Sequence, residues 1–347
     1  MKMNTATALL LTVFMLSTSC SPQSKQNPSG GDTPIVSDGF AKGADISWIT
    51  EMESKDFRFF DSDMKEKECT ALLHDIGFNA VRYRVWVNPQ DGWCGKEDVL
   101  VKAKRAKALG MKIMIDFHYS DWWADPGKQN VPAAWEGQNV EQMAYLVGQH
   151  TESTLRYLKE NGIDVSWVQV GNEVENGMLW ESGRVQGNDA SNFSRYFNSG
   201  AAAVKKIYPD AIVILHISNA WDTDTLRWFF NLMKTNNVKY DMIGLSLYPS
   251  SWGGSPDWRE RTAQALGNFP MLHAAYGKDV MLVEFGMPAY QAEAARACLQ
   301  YLMDNTASYD WFKGIFFWEP ESEQSRNGYD LGAFKNGQPT VALDPFK

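Results

Sequence analysis

The sequence predicts a single (β/α)8 barrel, and three observations carry that prediction. From about residue 40 onward, short apolar, β-branched runs alternate with longer amphipathic patterns of helical period. Eight such runs occur, with seven helical stretches between them, which is the count of the barrel. No linker interrupts the alternation after residue 40, so the region reads as one domain.

In chain order, strand Lys42–Ser47 precedes helix Asp63–Ile76, which Gly77 ends. Strand Ala80–Val87 sets Arg82, Arg84 and Trp86 on one face at period two. Helix Asp98–Leu109, closed by Gly110, leads to strand Lys112–Tyr119, where Asp116 and His118 share a face. Helix Val140–Glu160, followed by Gly162, precedes strand Trp167–Gly171. Helix Ser191–Tyr208 comes before strand Ala211–Ile217, whose run Ala-Ile-Val-Ile-Leu is apolar on both faces, as in a strand covered on both sides. Helix Thr223–Asn236, strand Met242–Leu247, helix Asp257–Tyr276, strand Val280–Phe285, helix Pro288–Thr306 and strand Gly314–Trp318 complete the series. Segment 319–347 shows no amphipathic helix, so the eighth helix is expected to be short or replaced by a turn-rich closing segment around Asn336-Gly337-Gln338-Pro339. An open doubly wound sheet is the other architecture with this alternation, but the Gly-rich first turn that accompanies nucleotide binding is lacking.

Residues 1–19 read as a targeting segment. Lys2 supplies a positive start, Ala6–Leu16 is an apolar run too short to span a bilayer, and Ser17-Thr18-Ser19-Cys20 follows. The pattern resembles a bacterial lipoprotein signal with Cys20 as the lipidated residue, which predicts an exported, envelope-anchored protein at the outer membrane or cell surface; an ordinary signal peptide cut nearby, releasing a secreted protein, is the other reading. Residues 20–38, rich in Ser, Pro and Gly, read as a flexible tether, and 39–347 as the barrel. With 33 basic and 42 acidic side chains the net charge is −9, and no Lys/Arg run occurs, which argues against a nucleic-acid partner. The remaining cysteines, Cys69, Cys94 and Cys298, form no metal-binding cluster, and a single Cys69–Cys94 bridge is compatible with export. A monomer without cofactor is expected. The 14 Trp, 13 Tyr and 18 Phe supply flat apolar faces suited to stacking on sugar rings or to an aromatic core.

In a barrel the chemistry sits at the C-terminal ends of the strands. The polar and aromatic residues there are Asp45, Arg82, Trp86, His118, Asn172, Glu173, Tyr248, Glu284 and Trp318, with Trp123 in the loop after the third strand. Glu173 and Glu284 follow the fourth strand and end the seventh, across the mouth from each other, so both carboxylates can enter one cleft. Retaining glycoside hydrolysis needs two carboxyl groups about 5–5.5 Å apart. Their environments must also hold one protonated and the other ionised. Arg82 is a fixed cation able to keep a nearby carboxylate ionised.

These motifs resemble the retaining (β/α)8 glycosidase clan and, within it, the arabinogalactan endo-β-1,4-galactanases of glycoside hydrolase family 53. The likeness rests on Gly43-Ala44-Asp45-Ile46-Ser47, on residues 79–89 around Arg82 and Trp86, and on residues 114–129 (Met-Ile-Asp-Phe-His-Tyr-Ser-Asp-Trp-Trp-Ala-Asp-Pro-Gly-Lys-Gln). Val168–Glu173, Gly177–Trp180, Ile243–Pro249 and Phe317–Pro320 extend it over nearly the whole barrel. The resemblance implies endo-hydrolysis of β-1,4-galactan, with Glu173 as acid/base and Glu284 as nucleophile. It also implies that Asn172 holds the sugar 2-hydroxyl, that His118, Tyr248 and Trp318 line the same subsite, and that Trp86 and Trp123 offer stacking platforms. Asp45 and Arg82 complete the candidate substrate-binding set. The same two-glutamate arrangement also serves mannanases and xylanases, and a non-catalytic glycan-binding envelope lipoprotein is a further reading.

One region departs from the family pattern. Bacterial members carry a long aromatic loop after the nucleophile, associated with calcium, whereas here Glu284 runs through Phe285-Gly286-Met287 into the helix that starts at Pro288. No structural calcium is therefore expected, and the cleft should be more open on that side. Activity is accordingly expected to survive exhaustive EDTA treatment, and a large loss restored by calcium would overturn this reading of the short connection.

Overall fold

The computed structural model describes residues 39–250 and 257–347; the expected signal, the tether and Cys20 lie outside the described residues. The chain enters the barrel at β1 (Ala41–Asp45), followed by a short α1 (Ile49–Ser54), α2 (Cys69–Ile76), β2 (Ala80–Val85), α3 (Lys96–Ala108) and β3 (Lys112–Phe117). The middle of the chain supplies α4 (Val140–Glu160), β4 (Trp167–Val170), α5 (Ser191–Ile207), β5 (Ile212–Ile217), α6 (Thr223–Thr235) and β6 (Met242–Leu247). It continues with α7 (Arg259–Tyr276), β7 (Asp279–Phe285), α8 (Ala292–Thr306) and β8 (Phe312–Trp318). The eight strands form a closed parallel barrel in sequence order, with β8 returning to β1 through Ala41 to Asp45 opposite Gly314 to Trp318.

The barrel interior is stacked in layers of alternate residues. Its lower layer is apolar: Ala41, Ala80, Met114, Trp167, Ile214, Met242, Met281 and Phe316 pack together with Val283. Phe316 reaches across the axis because β1 presents no side chain there; a Cβ on Gly43 would lie 2.3 Å from the Phe316 ring. The next residues inward on the strands are polar: Asp45, Arg82, Asp116, Gln169, His216, Ser246 and Glu284, all buried. An apolar plug beneath a polar layer fixes where water and substrate can approach, namely from above.

As expected, no full helix follows β8. A four-residue α9 (Gln324–Asn327) and a hairpin of β9 (Phe334–Lys335) and β10 (Gln338–Pro339) replace it. Asn336 and Gly337 turn the hairpin with φ of 53° and 77°, the pair of positive values that a two-residue type I′ turn requires. A closing 3₁₀ segment, Val341–Phe346, packs on α8 and α2.

One expectation is corrected and one open possibility is answered. The helix read as Asp63–Ile76 begins only at Cys69, because the Glu68 carboxylate accepts from the Ala71 N–H (3.0 Å) and caps it there. The Cys69–Cys94 bridge is not formed: both are buried free thiols, and the Cys94 thiol donates to the Ser47 carbonyl. The close fit of the lower layer makes Gly43→Ala an overpacking change expected to cost about 1–3 kcal/mol. The measurement is the denaturant midpoint, and an unchanged midpoint would show that Phe316 yields freely.

Candidate active site

The site is built outward from Arg82, which lies fully buried on β2. Its Nη1 donates to Asp45 (2.6 Å), its Nε to Gln169 (2.8 Å), and its Nη2 to Asp116 (2.8 Å) and the Asn172 side-chain carbonyl (2.9 Å). The same Nη2 lies 2.8 Å from Glu284 Oε1. Burial would lower the guanidinium's affinity for its proton, but Asp116, Glu284 and Asp45 more than reverse this, so it stays charged. Asp116 is likewise held below its usual range: burial opposes ionisation, and Arg82 and His118 overcome it.

Glu284 enters the cleft through a register shift. β6 pairs Leu245 with Leu282 but Ser246 with Glu284, so Val283 is skipped. Met281 and Val283 already face the apolar layer, and strict alternation would turn Glu284 outward; the irregularity turns it in. Tyr248, just past β6, donates its hydroxyl to Glu284 Oε2 at 2.9 Å. Burial, together with the charges of Asp116 and Asp45, outweighs Arg82 and Tyr248 and pushes the Glu284 carboxyl up to about 7.

Glu173 sits three residues beyond β4 in a left-handed conformation, φ 46°, which costs on the order of 1–3 kcal/mol for a residue with a side chain. Neighbours fix the turn: the Val174 N–H donates to the His216 carbonyl (3.0 Å), and the Gln129 amide donates to the Asn172 carbonyl (2.9 Å). Glu173 forms no ion pair among the described residues. Burial first, then the charges of Glu284 and Glu175, push its carboxyl well above the usual range. Among the described residues, a single hydrogen-bond chain reaches its carboxyl group. The Gln169 amide meets His216 Nδ1 (2.8 Å), His216 Nε2 meets Ser246 Oγ (2.8 Å), and Ser246 donates to Glu173 Oε1 (2.7 Å). Gln169 accepts from Arg82 through its oxygen, so its nitrogen faces His216. His216 Nδ1 must then accept and Nε2 donate, which leaves the Ser246 proton for Glu173 Oε1. A proton on Glu173 consequently belongs on Oε2.

Asn172 is oriented the same way. Arg82 donates to its oxygen, its nitrogen donates to the Ala124 carbonyl (2.8 Å), and the second N–H remains for a ligand. His118 Nδ1 accepts from the Ala124 N–H (3.1 Å), so its proton is on Nε2, 3.0 Å from Asp116.

These groups open into a cleft of about 800 Å³ whose walls include His118, Trp123, Asn172, Glu173, Tyr248, Glu284 and Trp318. Three expected substrate contacts are corrected. Asp45 and Arg82 are buried beneath the cleft rather than lining its open space: Arg82 touches Glu284 and Asn172, and Asp45 touches Arg82 and Ser47. Trp86 is no platform: it is 2% exposed, with Trp122 over it at 4.6 Å and Trp123 against it at 5.3 Å. Sequence reading missed Trp48, Trp221 and Tyr329, which share the cleft wall. Trp48 packs edge-on to Trp123 and Trp318 at 5.4 and 5.3 Å. It also missed Gln169, His216 and Ser246. Period-two counting inward along β4, β5 and β6 was the available signal. Beneath the tryptophans, buried Arg84 pairs with Glu319 and lies 4.2 Å from the Trp123 ring and 4.9 Å from Trp48, so the indole faces meet the guanidinium edges that lack an acceptor.

The profile of glycosyl hydrolase family 53 matches residues 41–313, most of the barrel. The chain belongs to glycosyl hydrolase family 53. Among family 53 relatives it is similar to the probable arabinogalactan endo-β-1,4-galactanase A of Aspergillus terreus, 31% identical over 303 residues, covering 80% of this chain and 85% of that protein. It is similar also to the arabinogalactan endo-β-1,4-galactanase of Humicola insolens, 30% identical over 302 residues, covering 80% of this chain and 89% of that one. A solved fungal β-1,4-galactanase superposes with a TM-score of 0.81 at 28% identity, covering 88% of this chain and 98% of the other.

The hydrogen bonds to the two glutamates are separable by mutation. Tyr248→Phe removes a donor that favours ionised Glu284, so its midpoint is expected to rise above about 7, and Ser246→Ala is expected to raise that of Glu173. Carboxyl NMR titration of isotopically labelled glutamate reads both, and unmoved midpoints would overturn the assignments of donor and acceptor.

Proposed function

We propose that this chain hydrolyses internal β-1,4-galactosidic bonds of galactan, the side chains of type I arabinogalactan, with retention of configuration. The observation that carries the reading is the unequal setting of two glutamates on one cleft, Glu284 buried and Glu173 partly so. Glu284 has a buried cation and a phenol on its oxygens, whereas among the described residues Glu173 has only the Ser246 hydroxyl. The names of the family 53 relatives support the choice of galactan.

In this reading Glu173 donates its Oε2 proton to the glycosidic oxygen as Glu284 attacks the anomeric carbon, breaking the bond and forming a glycosyl–enzyme ester. Ionised Glu173 then takes a proton from water, which attacks the same carbon and releases Glu284 as carboxylate. Arg82 holds Glu284 on the attack line, and the remaining Asn172 N–H binds the 2-hydroxyl, a contact that strengthens in the transition state. His118, fixed by Ala124 and Asp116, lines the sugar site, and Trp123 and Trp318 supply its apolar walls. The reading includes export and anchorage through an acylated Cys20, for which the targeting pattern of the leader is the support.

Incubation of the barrel with linear β-1,4-galactan is expected to give a spread of short oligomers early, the first new reducing ends being β-anomers by NMR. Cleavage of xylan or mannan instead would keep the two glutamates and discard the substrate. Glu284→Ala is expected to abolish turnover. Glu173→Ala should lose roughly 10²–10⁴-fold on galactan but far less on an aryl galactoside whose leaving group needs no proton. Equal losses on both substrates would refute the acid role of Glu173.

A further inference from the structure

A second depression of about 660 Å³ lies beside the cleft, between the loop after β3 and the loop after β4. Its lining includes Asp121, Trp122, Glu136, Gln138, Trp180 and Glu181, and no Lys or Arg. Trp122 is the unusual member. Its indole is 56% exposed, whereas large apolar side chains on this barrel are otherwise mostly covered. Its inner side rests on buried Trp86 at 4.6 Å, so the ring has a rigid backing and an open side.

The groove is built, not incidental. Asp121, next to Trp122, accepts from the Asn88 N–H (3.0 Å) and the Ala133 N–H (2.8 Å), tying the loop after β3 to the loop after β2 and to its own later stretch. On the opposite wall the Trp180 ring is covered by the Arg184 guanidinium at 3.6 Å, which also pairs with Glu181. The two walls are joined by the Trp180 N–H donating to the Gln129 carbonyl (2.8 Å), and the Gln129 side chain donates to the Asn172 carbonyl next to Glu173. The groove is therefore rigidly coupled to the catalytic turn. It is also continuous with the cleft through aromatic contact: Trp122 lies 6.4 Å from Trp123, which lines the cleft and lies 5.8 Å from Trp318.

We infer that this groove is a distal subsite that binds a further stretch of the same neutral polysaccharide while another stretch occupies the cleft. The inference rests on the galactan reading above. The chemistry of the lining selects the occupant: an exposed indole stacks on the apolar face of a sugar ring, and side-chain carboxylates and amides accept from and donate to hydroxyls. Asp121 and Glu136 in the lining, with the nearby Arg184 guanidinium already committed to Glu181 and the Trp180 ring, disfavour a polyanionic chain. The groove would thus raise affinity for long chains without touching the reacting atoms, an intramolecular second contact whose gain vanishes for substrates too short to span both places.

The test compares polymer with short oligosaccharide. In Trp122→Ala, KM on linear galactan is expected to rise roughly tenfold with kcat unchanged, while kinetics on a trisaccharide confined to the cleft stay as in the parent. Because Trp122 also covers Trp86, a second variant, Ala133→Trp, fills the groove from its exposed wall without removing that contact, and the same polymer-selective loss is expected. An equal fall on polymer and trisaccharide in both variants, or no change in either, overturns the subsite. Binding separates this result from failure of the galactanase reading. In the Glu284→Ala background, retardation in a galactan-containing native gel is expected to weaken with each groove substitution, and retardation that survives both overturns the inference. Absence of galactan cleavage by the parent chain would instead refute the activity.

Discussion

The buried guanidinium of Arg82 is the interaction on which the site depends. One cation meets Asp45, Asp116 and Glu284, and also holds the oxygens of Gln169 and Asn172. A lysine could not replace it, since the planar fork presents five donors in fixed directions and a single ammonium cannot reach five acceptors. The cluster carries more acid than base, and that excess has a chemical effect. Arg82 alone would make Glu284 a strongly ionised, weakly basic carboxylate; burial with Asp116 and Asp45 nearby returns it to the neutral range. The geometry that holds Glu284 therefore also sets its basicity.

Arg82 determines the other half of the site at a distance. By taking the Gln169 oxygen it orients that amide, which sets the tautomer of His216, which sets the direction of the Ser246 hydroxyl beneath Glu173. Burial and the charge of Arg82 keep His216 well below the usual imidazole range, so it stays neutral and the chain of donors keeps one polarity. Opposite demands on two glutamates are thus met by a single connected network rather than by two separate pockets.

Much of this was legible in the residues. Unbroken apolar runs identify the strands, because a parallel barrel buries both faces, and strand ends then locate Asn172 and Glu173 without further information. The orientation of Glu284 was not legible: alternation from Met281 and Val283 points it outward, and only the skipped residue in the β6–β7 register turns it in. Trp86 was misjudged for a related reason. Period two places it on the inner face of its strand, but whether an inward tryptophan meets ligand or other tryptophans depends on the loop that folds over it, and Trp122 does so here. Asp45 and Arg82 belong to the cluster under the cleft because charge satisfaction among buried groups is a three-dimensional matter that strand order alone does not reveal.

The seam between β1 and β8 has a consequence for the life history of the chain. Ala41 finds its partner at Gly314, roughly 270 residues later, a long loop to close before either edge is covered. The final 3₁₀ segment then locks the seam: the Lys42 ammonium donates to the Phe346 carbonyl at 3.0 Å, and Phe346 stacks on Phe78 at 4.2 Å. The barrel cannot be completed on the ribosome until its closing residues have emerged. Until then the β1 edge has no β8 to pair with, so the nascent sheet stays open along that edge.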